Sequence, residues 1–148
     1  DVDAMKQDIV DRTNALRKEN GIAPLTTSDK LMQAAQVRAD EMAASGAYSH
    51  TRPDGRKYTT VTDCKYVGEN IHRIADWALQ GKPVSEVAMW SWNHSAGHQN
   101  NLLDKSYAEI GVGLARGVNE DGYECWYCVQ LFLWNGYSVS WVDAPAAK

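Results

Sequence analysis

From Asp3 to Asn20, Met5, Ile9, Thr13 and Leu16 recur at the three- and four-residue spacing of an amphipathic helix, and Gly21 follows as a C-terminal cap. Beyond Pro24-Leu25, Thr27 or Ser28 can cap a second helix. Its rows are Leu31, Ala34, Ala35, Arg38 and Met42, and Gly46 ends it. The alanines predict close packing against a neighbour. Tyr66 to Ile74 alternates as a strand, with Glu69 and Ile71 on one face and Asn70 and His72 on the other. Pro83 precedes a third helix, Val84 to Asn93. Trp90 and Trp92 lie two apart on it and cannot share one stripe, so this helix is expected to be covered on more than one side. Residues 97–103 read as a short helical turn. Tyr107 to Arg116 places Ala108, Ile110, Val112 and Leu114 on one side, and Gly111 and Gly113 on the other, where something presses on the backbone. A polar loop, Gly117 to Gly122, turns the chain into Tyr123 to Trp134, making a hairpin, and Tyr137 to Val142 is expected as an edge strand. Helices first and a hairpin last indicate an α+β domain. Without repeats, linkers or low-complexity tracts, residues 1–148 read as a single domain.

Composition narrows the possible partners. The chain is 44% hydrophobic and 23% charged, the balance of a protein with a packed core. A net charge of −4 without a Lys/Arg block argues against nucleic acid. No apolar run reaches the roughly 20 residues of a membrane span. No signal-peptide pattern stands at Asp1, which leaves the compartment open. Cys125 and Cys128, three apart in an extended run, would sit about 10 Å apart, beyond disulfide reach. Cys64 would therefore pair with one of them, or all three are core thiols. A zinc reading of Cys125 and Cys128 lacks a second pair.

Three polar islands carry the candidate chemistry: Ser49-His50-Thr51-Arg52-Pro53-Asp54-Gly55, Gly68-Glu69-Asn70-Ile71-His72, and Ser95-Ala96-Gly97-His98-Gln99-Asn100-Asn101. Pro53-Asp54-Gly55 is turn chemistry that holds His50 in place. His94 and His98 have helical metal-pair spacing, but Ser95 stands where a zincin motif needs glutamate. There is no Gly-x-Ser-x-Gly elbow, and Ser49 or Ser95 beside a histidine does not make a nucleophile. Cys128 lies in an apolar strand, the setting of an inert thiol. No catalytic residue is assigned. Two imidazoles and a carboxylate, His50, His98 and Glu69, do make a donor set for zinc or another divalent cation with an open position. Asn70 and Asn101 read as bracing amides. Asn93-His94-Ser95 is a glycosylation-type triplet of little weight.

The islands, in this order, resemble the CAP superfamily of cysteine-rich secretory proteins, antigen 5 and pathogenesis-related 1 proteins. Leu16-Arg17-Lys18-Glu19-Asn20-Gly21 with Pro24-Leu25, the alanine-rich Leu31 to Met42, and Trp92 to Leu103 belong to the same likeness. So do Tyr107-Ala108-Glu109-Ile110-Gly111-Val112-Gly113 and Val129-Gln130-Leu131-Phe132. Nearly the whole chain is covered, and the short loops are similar to the compact bacterial form. The resemblance implies a three-layer α-β-α sandwich with a central, largely antiparallel sheet. It also implies a cleft lined by two histidines and two acidic residues. His50, Glu69 and His98 take three of those places, and the fourth, a glutamate in eukaryotic members, falls on Ser95. A serine supplies no second charge, so metal binding should be weaker or completed by water. The second, cysteine-containing signature of eukaryotic members is missing, so sterol binding and channel activity are not carried over.

The expected function is a secreted or cell-surface, non-enzymatic protein. Its His50/Glu69/Ser95/His98 cleft would bind a small ligand, lipid or protein partner, with a cation such as zinc at His50 and His98. The alternatives are an extracellular hydrolase using Glu69 and the histidines for acid/base work, and a partner-binding scaffold in which these residues are structural.

Overall fold

The computed structural model describes residues 1–147. Asp1 accepts a hydrogen bond from the Asp3 N–H and starts α1 (Val2–Glu19). Ser28 accepts from the Leu31 N–H at the start of α2 (Asp29–Ser45), and Gly46, at φ 71°, closes it in the left-handed conformation that glycine adopts freely. A two-residue strand, β1 (Thr26–Thr27), runs between them. A 3₁₀ turn, Tyr58–Val61, leads into β2 (Val67–Ala75). Next come α3 (Asp76–Leu79), α4 (Val84–Asn93) and α5 (Ala96–Leu102), then the hairpin of β3 (Tyr107–Val118) and β4 (Glu124–Trp134).

The sheet order is β1-β3-β4-β2, antiparallel except for the short parallel pairing of β1 with β3. Alternation along the strands sends two apolar sets to opposite faces. Leu31, Ala35 and Met42 of α2 pack with Tyr127, Val129 and Leu131 on one side. Ile9, Val10, Ala88 and Trp92 of α1 and α4 pack with Val112, Leu114 and Phe132 on the other. This is the expected α-β-α sandwich. The glycine face of β3 has a concrete cause: a Cβ on Gly111 would lie 2.1 Å from the Leu31 carbonyl oxygen, and one on Gly113 2.2 Å from that of Ala35. The α2 backbone rests directly on the sheet there.

Two expectations need correction. Tyr137–Val142 is not a strand: it is held by one bridge, Thr62 to Val142, and by Asp63, whose carboxylate accepts from the Ser140 N–H. α4 is covered on one side only, since Trp92 is fully buried while Trp90 is 64% exposed. For the cysteines, of the two readings left open, the core-thiol one holds, and there is no disulfide. All three are buried free thiols, Cys64 and Cys125 on the α2 side of the sheet and Cys128 on the other, where burial raises the Cys128 pKa well above the usual thiol range.

Candidate functional site

β2 is the free edge of the sheet beyond β4, and its alternation sorts the second island between two faces. The Glu69 side chain meets α2, and that of Asn70 meets α5 and Gln130 of β4. A Cβ on Gly68 would lie 2.1 Å from the Tyr107 hydroxyl, so a side chain there would displace that ring. His50 and His98 thus approach one strand from opposite sides.

The His50 side rests on a buried chain of charges. Arg38 donates through Nε to Oε2 of Glu69 at 2.7 Å and through Nη2 to Oε1 at 3.1 Å, a bidentate pair with both side chains fully buried. Nη2 also reaches the Ser49 carbonyl at 2.6 Å, so Arg38 fixes the residue before His50 as well. The His50 Nδ1–H then donates to Oε1 of Glu69 at 2.8 Å, although more than half of the His50 side chain is exposed. Behind this pair, Glu41 accepts from Arg52 Nη2 at 2.6 Å, and Arg52 Nη1 donates to Asp143 at 3.0 Å. The Ala146 N–H donates to Glu41 at 2.7 Å, so the C-terminal segment is tied to the same network. The predicted turn is present: Gly55, at φ 94°, donates its N–H to the Arg52 carbonyl. Sequence reasoning did not find Glu41 or Arg52. Arg38 and Glu41, three apart on a mostly alanine helix, were the available signal.

The His98 side is built from amides. The Asn70 Nδ2 donates to the His98 carbonyl at 3.2 Å and to Gln130 at 3.1 Å, and the Asn101 Nδ2 donates to Oδ1 of Asn70 at 2.9 Å. These two asparagines do brace the fold. Arg17, also missed from sequence, is buried and donates to the Leu102 and Asp104 carbonyls, clamping the end of α5 to α1. Ser95 begins α5 without using its hydroxyl as a cap; its Oγ lies 3.0 Å from the His98 Nδ1 instead. Burial lowers the His98 pKa, and the positive charge of nearby His50 lowers it further.

The remaining histidines fall elsewhere. His94 stacks on Trp90 at 4.1 Å with its Nδ1 2.7 Å from the Trp90 carbonyl, away from His98. His72 packs edge-on to Trp92 beneath His98. Its Nε2 is buried without a partner, and burial, reinforced by His98, lowers its pKa to about 4.

The predicted residues therefore form two pairs, His50–Glu69 and Ser95–His98, rather than one ring of donors. Among the described residues, no three His, Cys, Asp or Glu side chains are grouped so as to hold a metal ion. The hollow that His50 lines, of about 550 Å³, is completed by Thr51, Lys57, Tyr58, Thr59 and Lys65, with Glu69 behind the imidazole and outside it. Tyr58 holds one wall by donating to the Val67 carbonyl at 2.8 Å. Burial first, then the negative charge of Glu69, raises its pKa to about 12. No helix among the described residues is long and apolar enough to cross a membrane.

A family model described as the cysteine-rich secretory protein family, CAP, matches residues 10–132. The uncharacterized protein YkwD of Bacillus subtilis (strain 168) is 28% identical over 117 residues, which cover 76% of this chain and 43% of that protein. An extracellular protein containing a SCP domain from Bacillus anthracis superposes with a TM-score of 0.67 at 23% identity, over 90% of this chain and 41% of the other. A cysteine-rich secretory protein from Staphylococcus aureus gives 0.66 at 20% identity, over 91% and 40%. The chain thus spans less than half the length of each of these relatives.

Proposed function

The chain belongs to the cysteine-rich secretory protein (CAP) family, and we propose that it is a secreted, non-enzymatic member whose His50–His98 site binds a ligand through a divalent cation such as zinc. One observation carries this reading: each imidazole is held through Nδ1, by Glu69 or by Ser95, which leaves both Nε2 atoms uncommitted. A histidine that donates Nδ1–H to an oriented acceptor presents a lone pair at Nε2, the arrangement common in metal-binding histidines. For His98 this is the tautomer that donates to Ser95. Such a cation would be held by the two imidazoles, with its remaining positions completed by water or by a ligand atom. When bound, the cation would supply an electrophilic anchor for the ligand. The Glu69 carboxylate orients His50 and is itself neutralised by Arg38, so it is not counted as a donor.

The hydrolase alternative gains no support from this geometry. Both Glu69 oxygens already accept from Arg38 or His50, so neither is free to move a proton for a substrate. The extracellular placement draws on the Bacillus anthracis structure described as extracellular. Immunoblotting of the culture medium against the cell lysate tests it.

Isothermal titration with Zn²⁺ tests the site. Wild type should bind one ion, His50→Ala and His98→Ala should each lose binding, and His94→Ala should retain it. No binding by wild type, or unchanged binding in His50→Ala/His98→Ala, removes the metal from the account.

A further inference from the structure

The hollow beside His50 has an electrostatic character that the whole chain does not. The protein carries a net charge of −4, yet the titratable side chains lining this hollow are His50, Lys57, Tyr58 and Lys65, with no carboxylate among them. Both lysines are exposed, and neither lies within salt-bridge distance of an acid among the described residues. The acids nearest in sequence are engaged elsewhere: Asp54 holds Arg56, and Asp63 accepts from the Ser140 N–H. The Tyr58 hydroxyl is committed to the Val67 carbonyl, whereas Thr51 and Thr59 line the same space.

We propose that this hollow binds the phosphate group of a phosphorylated ligand beside His50, through the Lys57 and Lys65 ammonium groups and the Thr51 and Thr59 side chains. The donor type selects phosphate over carboxylate. A planar carboxylate is matched best by the two-pronged guanidinium of arginine. The arginines of this region, Arg38, Arg52 and Arg56, are all spent on Glu69, Glu41, Asp143 and Asp54. What remains is a set of point donors around an open volume, which suits a tetrahedral, multiply charged anion. The inference rests on reading His50 as part of a ligand site, but it does not require the cation. A free phosphorylated metabolite and a phospholipid headgroup share this chemistry.

The test uses the purified protein in metal-stripped buffer. Inorganic phosphate and glycerol phosphate are titrated calorimetrically, and phosphatidylcholine vesicles with and without phosphatidic acid are sedimented with the protein. Wild type should bind in at least one arm, and that arm identifies a soluble or a lipid source. Lys57→Gln/Lys65→Gln should bind about tenfold or more weakly, as expected for losing two charge-assisted contacts. The charge-matched Lys18→Gln/Lys30→Gln should bind like wild type. Wild type binding neither probe, equal losses in the two double variants, or acetate binding as tightly as phosphate would each overturn the proposal. Zinc titration of the wild type, beside its phosphate arm, separates the two readings. Zinc bound with no phosphate bound defeats this inference alone, and phosphate bound with no zinc bound defeats only the cation.

Discussion

The His50 Nδ1 lies 2.8 Å from Oε1 of Glu69, and that same oxygen accepts from Arg38 Nη2 at 3.1 Å. An exposed imidazole is therefore oriented by a carboxylate that is fully buried and fully paired. The energetic weight of this contact lies behind the histidine rather than in it.

Replacing Arg38 by methionine would leave Glu69 and Glu41 buried without their shared partner, and should cost about 3–5 kcal/mol of stability in urea unfolding. His50→Ala, which removes only the exposed end of the chain of charges, should cost no more than about 1 kcal/mol. Equal losses would show that the buried network is not what holds the island.

The helix α2 and strand β3 touch backbone to backbone at Gly111 and Gly113. Alanine at either position should cost more than about 3 kcal/mol, since the new methyl would meet a carbonyl oxygen rather than a mobile side chain. Gly97, by contrast, lies within α5, and a methyl added there would meet nothing within 4 Å. Gly97→Ala should be neutral or stabilising by up to about 1 kcal/mol. Chemical denaturation of the three variants decides both points.

Stability should fall with acid through His72. Its folded pKa of about 4 is below the usual histidine value of 6.5, so the unfolded chain takes up a proton that the folded chain resists. The contribution is complete above pH 6.5, is lost as pH falls from 6.5 to about 4, and amounts to roughly 3 kcal/mol. His72→Leu should flatten the unfolding free energy across that window. An unchanged slope would show that other groups carry the acid sensitivity.

The two tryptophans of α4 should separate sharply. Trp92→Ala removes a fully buried indole that donates to the Ile71 carbonyl at 3.0 Å, and should cost at least about 3 kcal/mol. Trp90→Ala should cost less than about 1 kcal/mol, as measured by the shift in urea midpoint.

That contrast also marks how much of the fold was legible in the sequence. Local chemistry announced itself: Ser28 and Gly46 bracket α2 where capping rules put them, and the paired glycines of β3 foretold the pressing helix. Periodicity could not say which of Trp90 and Trp92 meets the sheet, because each fits a helical stripe. Nor could it show that Arg17, Arg38, Glu41 and Arg52 are interior, since a charged residue on a helix or loop is ordinarily solvated. Their burial depends on partners distant in sequence, Asp143 and Leu102 among them. The segment 137–142 alternates like a strand but makes a single bridge, Thr62 to Val142, rather than joining the sheet, so the pattern alone misled. At the site, the motif residues were all visible. Their division into two pairs, and the orphaned nitrogen of His72 below them, required the register of β2 against β4 and the placement of α5.

The central claim is that His50 and His98 act together through their Nε2 atoms. Imidazole ¹⁵N resonances, followed by NMR during a Zn²⁺ titration, test it most directly. The account predicts that the Nε2 signals of His50 and His98 shift together while those of His72 and His94 stay in place. Zinc-induced shifts at only one of the pair, at His94, or at none would contradict it.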